Sequence, residues 1–205
     1  KDNPGDSGGQ PSSTGNLFVN CSAKKLEECF AFAHGTYNNK LDSCNADNTG
    51  KNSTFNFCVQ IRDGAHSNTI TNSKFKTTGK PNGIVSIYDG IEGVNPQNQS
   101  DNVFLNCLFE SDLQNNTVGV FLRNSQNTTF KNCNFINIPF LFRFSSSSSG
   151  TDNNSETVLR NCILSAVANQ FDTRSLPAPW GFNKTETGYD DMGDVSVSYT
   201  NFWNG

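Results

Sequence analysis

Short alternations of apolar and polar residues recur along the chain, each ending at a residue that favours a turn. Seven segments share one form: Phe18-Val-Asn-Cys21, Leu41-Asp-Ser-Cys44, Ile70-Thr-Asn-Ser73, Phe104-Leu-Asn-Cys107, Phe130-Lys-Asn-Cys133, Leu159-Arg-Asn-Cys162 and Val197-Ser-Tyr-Thr200. Two residues beyond them stand Ala23, Ala46, Phe75, Phe109, Phe135, Leu164 and Phe202. One face of a straight strand recurs at i, i+2 and i+4. Here Phe104, Cys107 and Phe109 form the apolar set, so the phase breaks at Asn106. Asn tolerates the left-handed conformation of a sharp corner, and each unit is predicted to bend there.

A second set of segments lies between these: Phe30-Ala-Phe-Ala-His-Gly35, Val59-Gln-Ile-Arg-Asp-Gly64, Val85-Ser-Ile-Tyr-Asp-Gly90, Val120-Phe-Leu-Arg-Asn-Ser125, Phe140-Leu-Phe-Arg-Phe-Ser145 and, more weakly, Asn169-Gln-Phe-Asp-Thr-Arg174. Their first and third members are apolar and point inward; the second and fourth point outward. The repeat spacing runs from 23 residues (Phe18 to Leu41) to 38 (Leu159 to Val197), as in a solenoid with loop insertions.

Strand, turn, strand, Asn corner, strand and return make one coil of a right-handed parallel β-helix. The fold expected is all-β, a single-stranded right-handed parallel β-helix of about seven coils, with strands ~4.8 Å apart and a length of about 30 Å. Residues 16–205 form this domain and residues 1–15, rich in Gly, Ser and Pro, a flexible linker. Stacking predicts an amide ladder of Asn72, Asn106, Asn132 and Asn161. One local signal competes: Ser22-Ala-Lys-Lys-Leu-Glu-Glu-Cys-Phe30 has helical propensity and reads as an N-terminal capping helix.

Composition adds three constraints. Thirty Asn and 17 Phe in 205 residues, with only 17% charged, describe a turn-rich chain whose core is lined by rings. A net charge of −4 argues against a nucleic-acid surface. Seven cysteines are an odd number, so at least one thiol is unpaired within the chain. Cys21, Cys44, Cys107, Cys133 and Cys162 fall in one inward column and read as reduced core thiols. A disulfide between Cys29 and Cys58, or between Cys21 and Cys44, is the alternative. No pair has the CxxC spacing of zinc or redox chemistry.

The segment GVFLRNSQNTTFKNCNF, residues 119–135, resembles the parallel β-helix repeats of the pectate-lyase-like superfamily, and the likeness runs from Phe18 to Phe202. The resemblance implies a working site on the outward face of the strand that carries Arg62, Tyr88, Phe121, Arg123 and Arg143. There Arg123 or Arg143 would act as the base, with Asp89 beside them, and Asp63 and Asp89 would be calcium ligands. Tyr88 and Phe121 offer rings for a sugar face, and Trp180 in the Pro-rich loop is a further sugar platform. The chain has no WxDH segment and no NxD, GHG and RxK set, and its two histidines, His34 and His66, are placed beside no second catalytic residue type.

The functional expectation is a secreted or surface-exposed monomer that binds an acidic polysaccharide along this face. No cofactor is required, although calcium is admitted. The linker would serve as a tether to a membrane or wall, as in a lipoprotein. The alternatives are a polysaccharide lyase or glycoside hydrolase of the same superfamily, and a structural or adhesive solenoid.

Overall fold

The computed structural model describes residues 13–26, 28–49, 57–77, 83–88, 99–112, 117–144, 156–165, 182–184 and 195–203. Every described element is a β-strand, and every pairing between strands is parallel. One seven-stranded sheet stacks Leu17–Val19, Lys40–Asp42, Thr69–Thr71, Val103–Leu105, Thr129–Lys131, Thr157–Arg160 and Val195–Ser198 in that order. A second stacks Ser22–Lys24, Asn45–Asp47, Lys74–Lys76, Leu108–Glu110, Asn134–Ile136, Ile163–Ser165 and Asn201–Trp203. The third has six strands, Glu28–Phe32, Phe57–Arg62, Gly83–Tyr88, Val118–Leu122, Phe140–Phe144 and Phe182–Lys184. The chain visits the three sheets in turn and returns to the first one strand further on, an arrangement consistent with a solenoid.

The corner between the first two sheets lies where the apolar phase breaks. Asn20, Ser43, Asn72, Asn106, Asn132, Asn161 and Tyr199 all take positive φ, between 50° and 56°. Short polar side chains bear this conformation at least cost, which explains the Asn. The hydrogen-bond ladder continues through the bend, with the Asn106 N–H donating to Leu105's counterpart one coil on, the Lys131 carbonyl, at 3.0 Å.

Two amide ladders reinforce the corners. On the outside, Asn132 Nδ2 donates to Asn106 Oδ1 and Asn106 Nδ2 to Asn72 Oδ1, each at 3.2 Å. Asn72 Nδ2 then donates to Asp42 at 2.9 Å. Bonds from Asn72, Thr71 and Lys40 hold the Asp42 carboxyl down to about 2. Inside, Asn39, Asn68 and Asn102 form a second ladder, which the repeat reading did not anticipate.

The core is built of columns. Phe104 stacks on Phe130 with ring centroids 4.8 Å apart, and Phe109 on Phe135 at 4.7 Å. These distances match the strand spacing of a sheet, so identical residues at one repeat position stack without adjusting the backbone. The cysteine column runs beside them. All seven cysteines are free thiols, so neither alternative disulfide is formed. Cys107, Cys133 and Cys162 each point a thiol at the carbonyl two residues back.

One expectation needs correction. The described residues from Ser22 to Phe30 hold no helix: Ser22–Lys24 and Glu28–Phe32 are strands, paired with Asn45–Asp47 and Phe57–Arg62. Helical propensity there is a fraction of a kcal/mol per residue, and parallel pairing with the next coil outweighs it. Thr14, in the stretch read as linker, bridges to Tyr37. The segment 169–174 lies outside the described residues; the strand that pairs with Phe140–Phe144 is Phe182–Lys184.

Candidate functional site

Alternation along the third sheet sorts its side chains. Val59 and Ile61, Val85 and Ile87, and Val120 and Leu122 join the core. Gln60 and Arg62, Ser86 and Tyr88, and Phe121 and Arg123 fall on the opposite face. Register stacks Gln60 on Ser86 and Ser86 on Phe121. Arg62 pairs with Tyr88, and the Arg123 N–H bonds the Ile87 carbonyl, placing Arg123 next in that row.

Arg143 is not in that row. Phe121 pairs with Arg143 and Val120 with Phe142, so the strand sits two residues from the expected alignment. Phe140, Phe142 and Phe144 alternate identically under a shift of two, which keeps every side chain on its face; the apolar pattern therefore could not choose between the two registers. The expected stacking of Arg123 on Arg143 does not arise. Arg123 instead lies over the Tyr88 ring, with 5.6 Å from Cζ to the centroid, and Tyr88 meets Phe121 edge to face at 6.4 Å. Burial raises the Tyr88 phenol above its ordinary range, with Arg62 acting in the opposite sense. It therefore remains a neutral hydroxyl at physiological pH.

The turn after the strand carries a second group. His34, Asp63 and Asn124 occupy its corner with φ of 53° to 55°. Asp63 is buried, and its Oδ2 lies 3.4 Å from Arg62 Nη1 and 3.6 Å from His34 Nδ1. Arg62 Nη2 in turn lies 3.8 Å from Glu28 Oε2. His34 thus has a carboxylate neighbour, contrary to the reading that placed neither histidine beside a second catalytic type. The repeat alignment already set His34 and Asp63 in one column; what it lacked was that their side chains converge. Asp63, read as a calcium ligand, is already engaged by two basic groups. Among the described residues no cluster of three or more His, Cys, Asp or Glu side chains could hold a metal ion. Asp89 and Trp180 lie outside the described residues, and Arg143 is described only as a strand position.

Gln60 and Ser86 were not singled out by sequence. They face outward, yet Gln60 is 1% and Ser86 0% exposed. Gln60 Nε2 donates to the Tyr88 phenol oxygen at 3.3 Å, while Gln60 Oε1, Ser86 Oγ and Arg62 Nε have no hydrogen-bond partner. The face therefore combines two rings, a guanidinium over one of them, and a row of unsatisfied polar atoms. Such a surface suits a ligand with both an apolar face and hydrogen-bonding groups.

Comparison of the chain with family models, with curated proteins and with solved structures gives no match.

Proposed function

We propose that this protein is a carbohydrate-engaging, single-stranded right-handed parallel β-helix of about seven coils, akin to the pectate-lyase-like superfamily. It works outside the cell or at its surface, as a monomer, and holds an acidic polysaccharide along the outward face of the third sheet. The observation that carries this reading is the arrangement of Arg123, Tyr88 and Phe121 beside the buried Gln60 and Ser86, each of which has an unsatisfied polar atom. Aromatic rings supply flat apolar area for a sugar face, and a guanidinium pairs with a carboxylate in two-pronged geometry. A β-sheet supplies such groups at regular intervals along its axis, as a polymer requires.

A polysaccharide lyase or hydrolase is the second reading, favoured by His34 beside the buried Asp63. A carboxylate at Nδ1 orients an imidazole so that its other nitrogen can accept a proton.

The test is retention of the protein in gels containing a panel of acidic and neutral polysaccharides, with and without calcium, while following the ultraviolet absorbance of unsaturated uronides. Binding to an acidic polymer is expected, weakened about tenfold in Arg123→Ala, the scale of one charged contact. Rising absorbance that is lost in His34→Ala would make the protein a lyase. Absence of binding to every polymer would overturn the carbohydrate reading and leave an adhesive solenoid.

A further inference from the structure

We propose that Gln60 and Ser86 form a subsite that reads the vicinal hydroxyls of an uncharged sugar unit, so that the polymer held here alternates acidic and neutral residues. This rests on the carbohydrate reading above and adds the chemical class of one unit.

Gln60 and Ser86 are neighbours across adjacent strands, on the face that carries Tyr88 and Phe121. Both are more than nine-tenths buried, and each has a polar atom without a partner. A buried polar atom with no hydrogen bond is costly, and natural structures retain few of them. Two side by side on one face mark a place where a ligand supplies the missing bonds. Reversing the Gln60 amide does not remove the vacancy: Tyr88 would then donate to Oε1, and Nε2 would be left without an acceptor. A hydroxyl both donates and accepts, so it satisfies either arrangement and Ser86 Oγ as well. A carboxylate only accepts, and fits one arrangement alone.

Charge points the same way. Arg62, two residues along from Gln60, lies 3.4 Å from Asp63 and 3.8 Å from Glu28. One guanidinium between two carboxylates leaves this end of the row formally negative, which disfavours an anionic unit. Adjacent strands are ~4.8 Å apart, a separation over which two neighbouring sugar hydroxyls can each reach one side chain. The acid group of the next unit then falls towards Arg123. Entry takes the Tyr88 phenol off the Gln60 amide, and the ring remains beside Phe121 as the wall against which the sugar face packs.

The test uses the full chain on a panel of homopolymeric uronans, neutral glucans, and copolymers in which uronate alternates with an uncharged sugar. Wild type is expected to hold a copolymer about tenfold more tightly than any homouronan, on the scale of one or two neutral hydrogen bonds. Ser86→Ala should erase that preference without lowering the melting temperature, because it removes an unsatisfied hydroxyl rather than a contact. Gln60→Met, which keeps length and volume, should do the same to the preference and serves as the independent variant. Equal or tighter binding of homouronans, or unchanged preference in both variants, would overturn the subsite while leaving carbohydrate binding intact. Silence of wild type on the whole panel would remove the carbohydrate reading and the subsite with it.

Discussion

Asn68 lies between Asn39 and Asn102, fully out of solvent, and each polar atom of its side chain is used. Its Oδ1 accepts from both the backbone and side-chain nitrogens of Asn39, each at 3.1 Å. Its Nδ2 donates to Asn102 Oδ1 and to the Thr36 carbonyl. Truncation strands two donors of Asn39 in a dry corner, so Asn68→Ala is expected to cost about 3 kcal/mol in urea unfolding, since each buried orphan costs ~1–3 kcal/mol. Asn106, exposed and at φ 56°, depends more on backbone than on its ladder bonds. Asn106→Ala should therefore lose only about 1–2 kcal/mol, and Asn106→Gly should recover most of that. An Asn106→Gly variant as damaged as Asn106→Ala would show that the amide bonds, not the corner, set its cost. The outer Asn column was legible because its residues share one place in the repeat. The inner one was not: Asn16, Asn39, Asn68 and Asn102 also share one place, two residues before Phe18, Leu41, Ile70 and Phe104, but it lies upstream of the apolar residue that opens the recognised segment and passes to Thr128 in the next coil.

At the scale of strands, spacing between coils is set by what each position can tolerate. Gly119 pairs opposite Leu141, and a Cβ placed on it would come within 2.9 Å of the Leu141 carbonyl oxygen and 3.3 Å of Ile138 Cγ2. Gly119→Ala must push Val118–Leu122 away from Phe140–Phe144. Overpacking of this kind costs about 1–3 kcal/mol; the expected result is a lower unfolding midpoint, together with faster amide exchange at Phe142 and Arg143. An unchanged midpoint would mean that the strand pair has slack the geometry denies. The cysteine column illustrates how such tolerance reads in sequence. Ser73 and Thr200 stand at the cysteine position and make the same bond, at 2.7 Å and 3.1 Å, to the carbonyl two residues back. The position selects a small side chain with one donor, so Phe-x-Asn-Cys was recognisable even where its last residue changes. Register within the third sheet was harder to read. A period-two pattern such as Phe140-Leu-Phe-Arg-Phe144 is degenerate under a shift of two, and the error moved Arg143 from beside Arg123 to beside Phe121. For the same reason the face of the candidate site was legible in part: Val59, Ile61, Val85, Ile87, Val120 and Leu122 turn inward as expected, whereas Leu141, expected outward, is buried in the core cluster, and the contacts were not legible. Gln60, Ser86 and His34 acquire meaning only from their neighbours one coil away.

For the molecule as a whole, parallel stacking makes each strand of a sheet depend mainly on the two beside it, so stability follows the quality of those nearest-neighbour contacts. They are unequal along the stack. Phe75, Phe104, Phe109, Phe130 and Phe135 form a continuous buried cluster of rings in the middle. At the N-terminal end the equivalent inward residues are Ala23 and Ala46, and Phe18 is 48% exposed. Val197, last in the column of Phe104 and Phe130, is also substantially exposed. Opening should begin at the ends and reach the phenylalanine stack last. Hydrogen exchange is expected to give the greatest protection at the amides of Val103–Glu110 and Thr129–Ile136, and the least at Leu17–Lys24 and Val195–Trp203. Phe109→Ala should lower global stability by about 3–5 kcal/mol, as for other buried aromatic truncations. Phe18→Ala should change only exchange at its own end, leaving the global value within about 1 kcal/mol. If protection proves uniform from Leu17 to Trp203, and Phe18→Ala destabilises as much as Phe109→Ala, the described strands unfold as one cooperative unit and the picture of fraying from the ends is wrong. The candidate site spans the strands from Phe57 to Leu122, in the same coils as Phe75, Phe104 and Phe109 of the ring stack. Its row of unsatisfied polar atoms is therefore held on strands whose core sides, from Val59 to Leu122, are closed by fully buried aliphatic side chains.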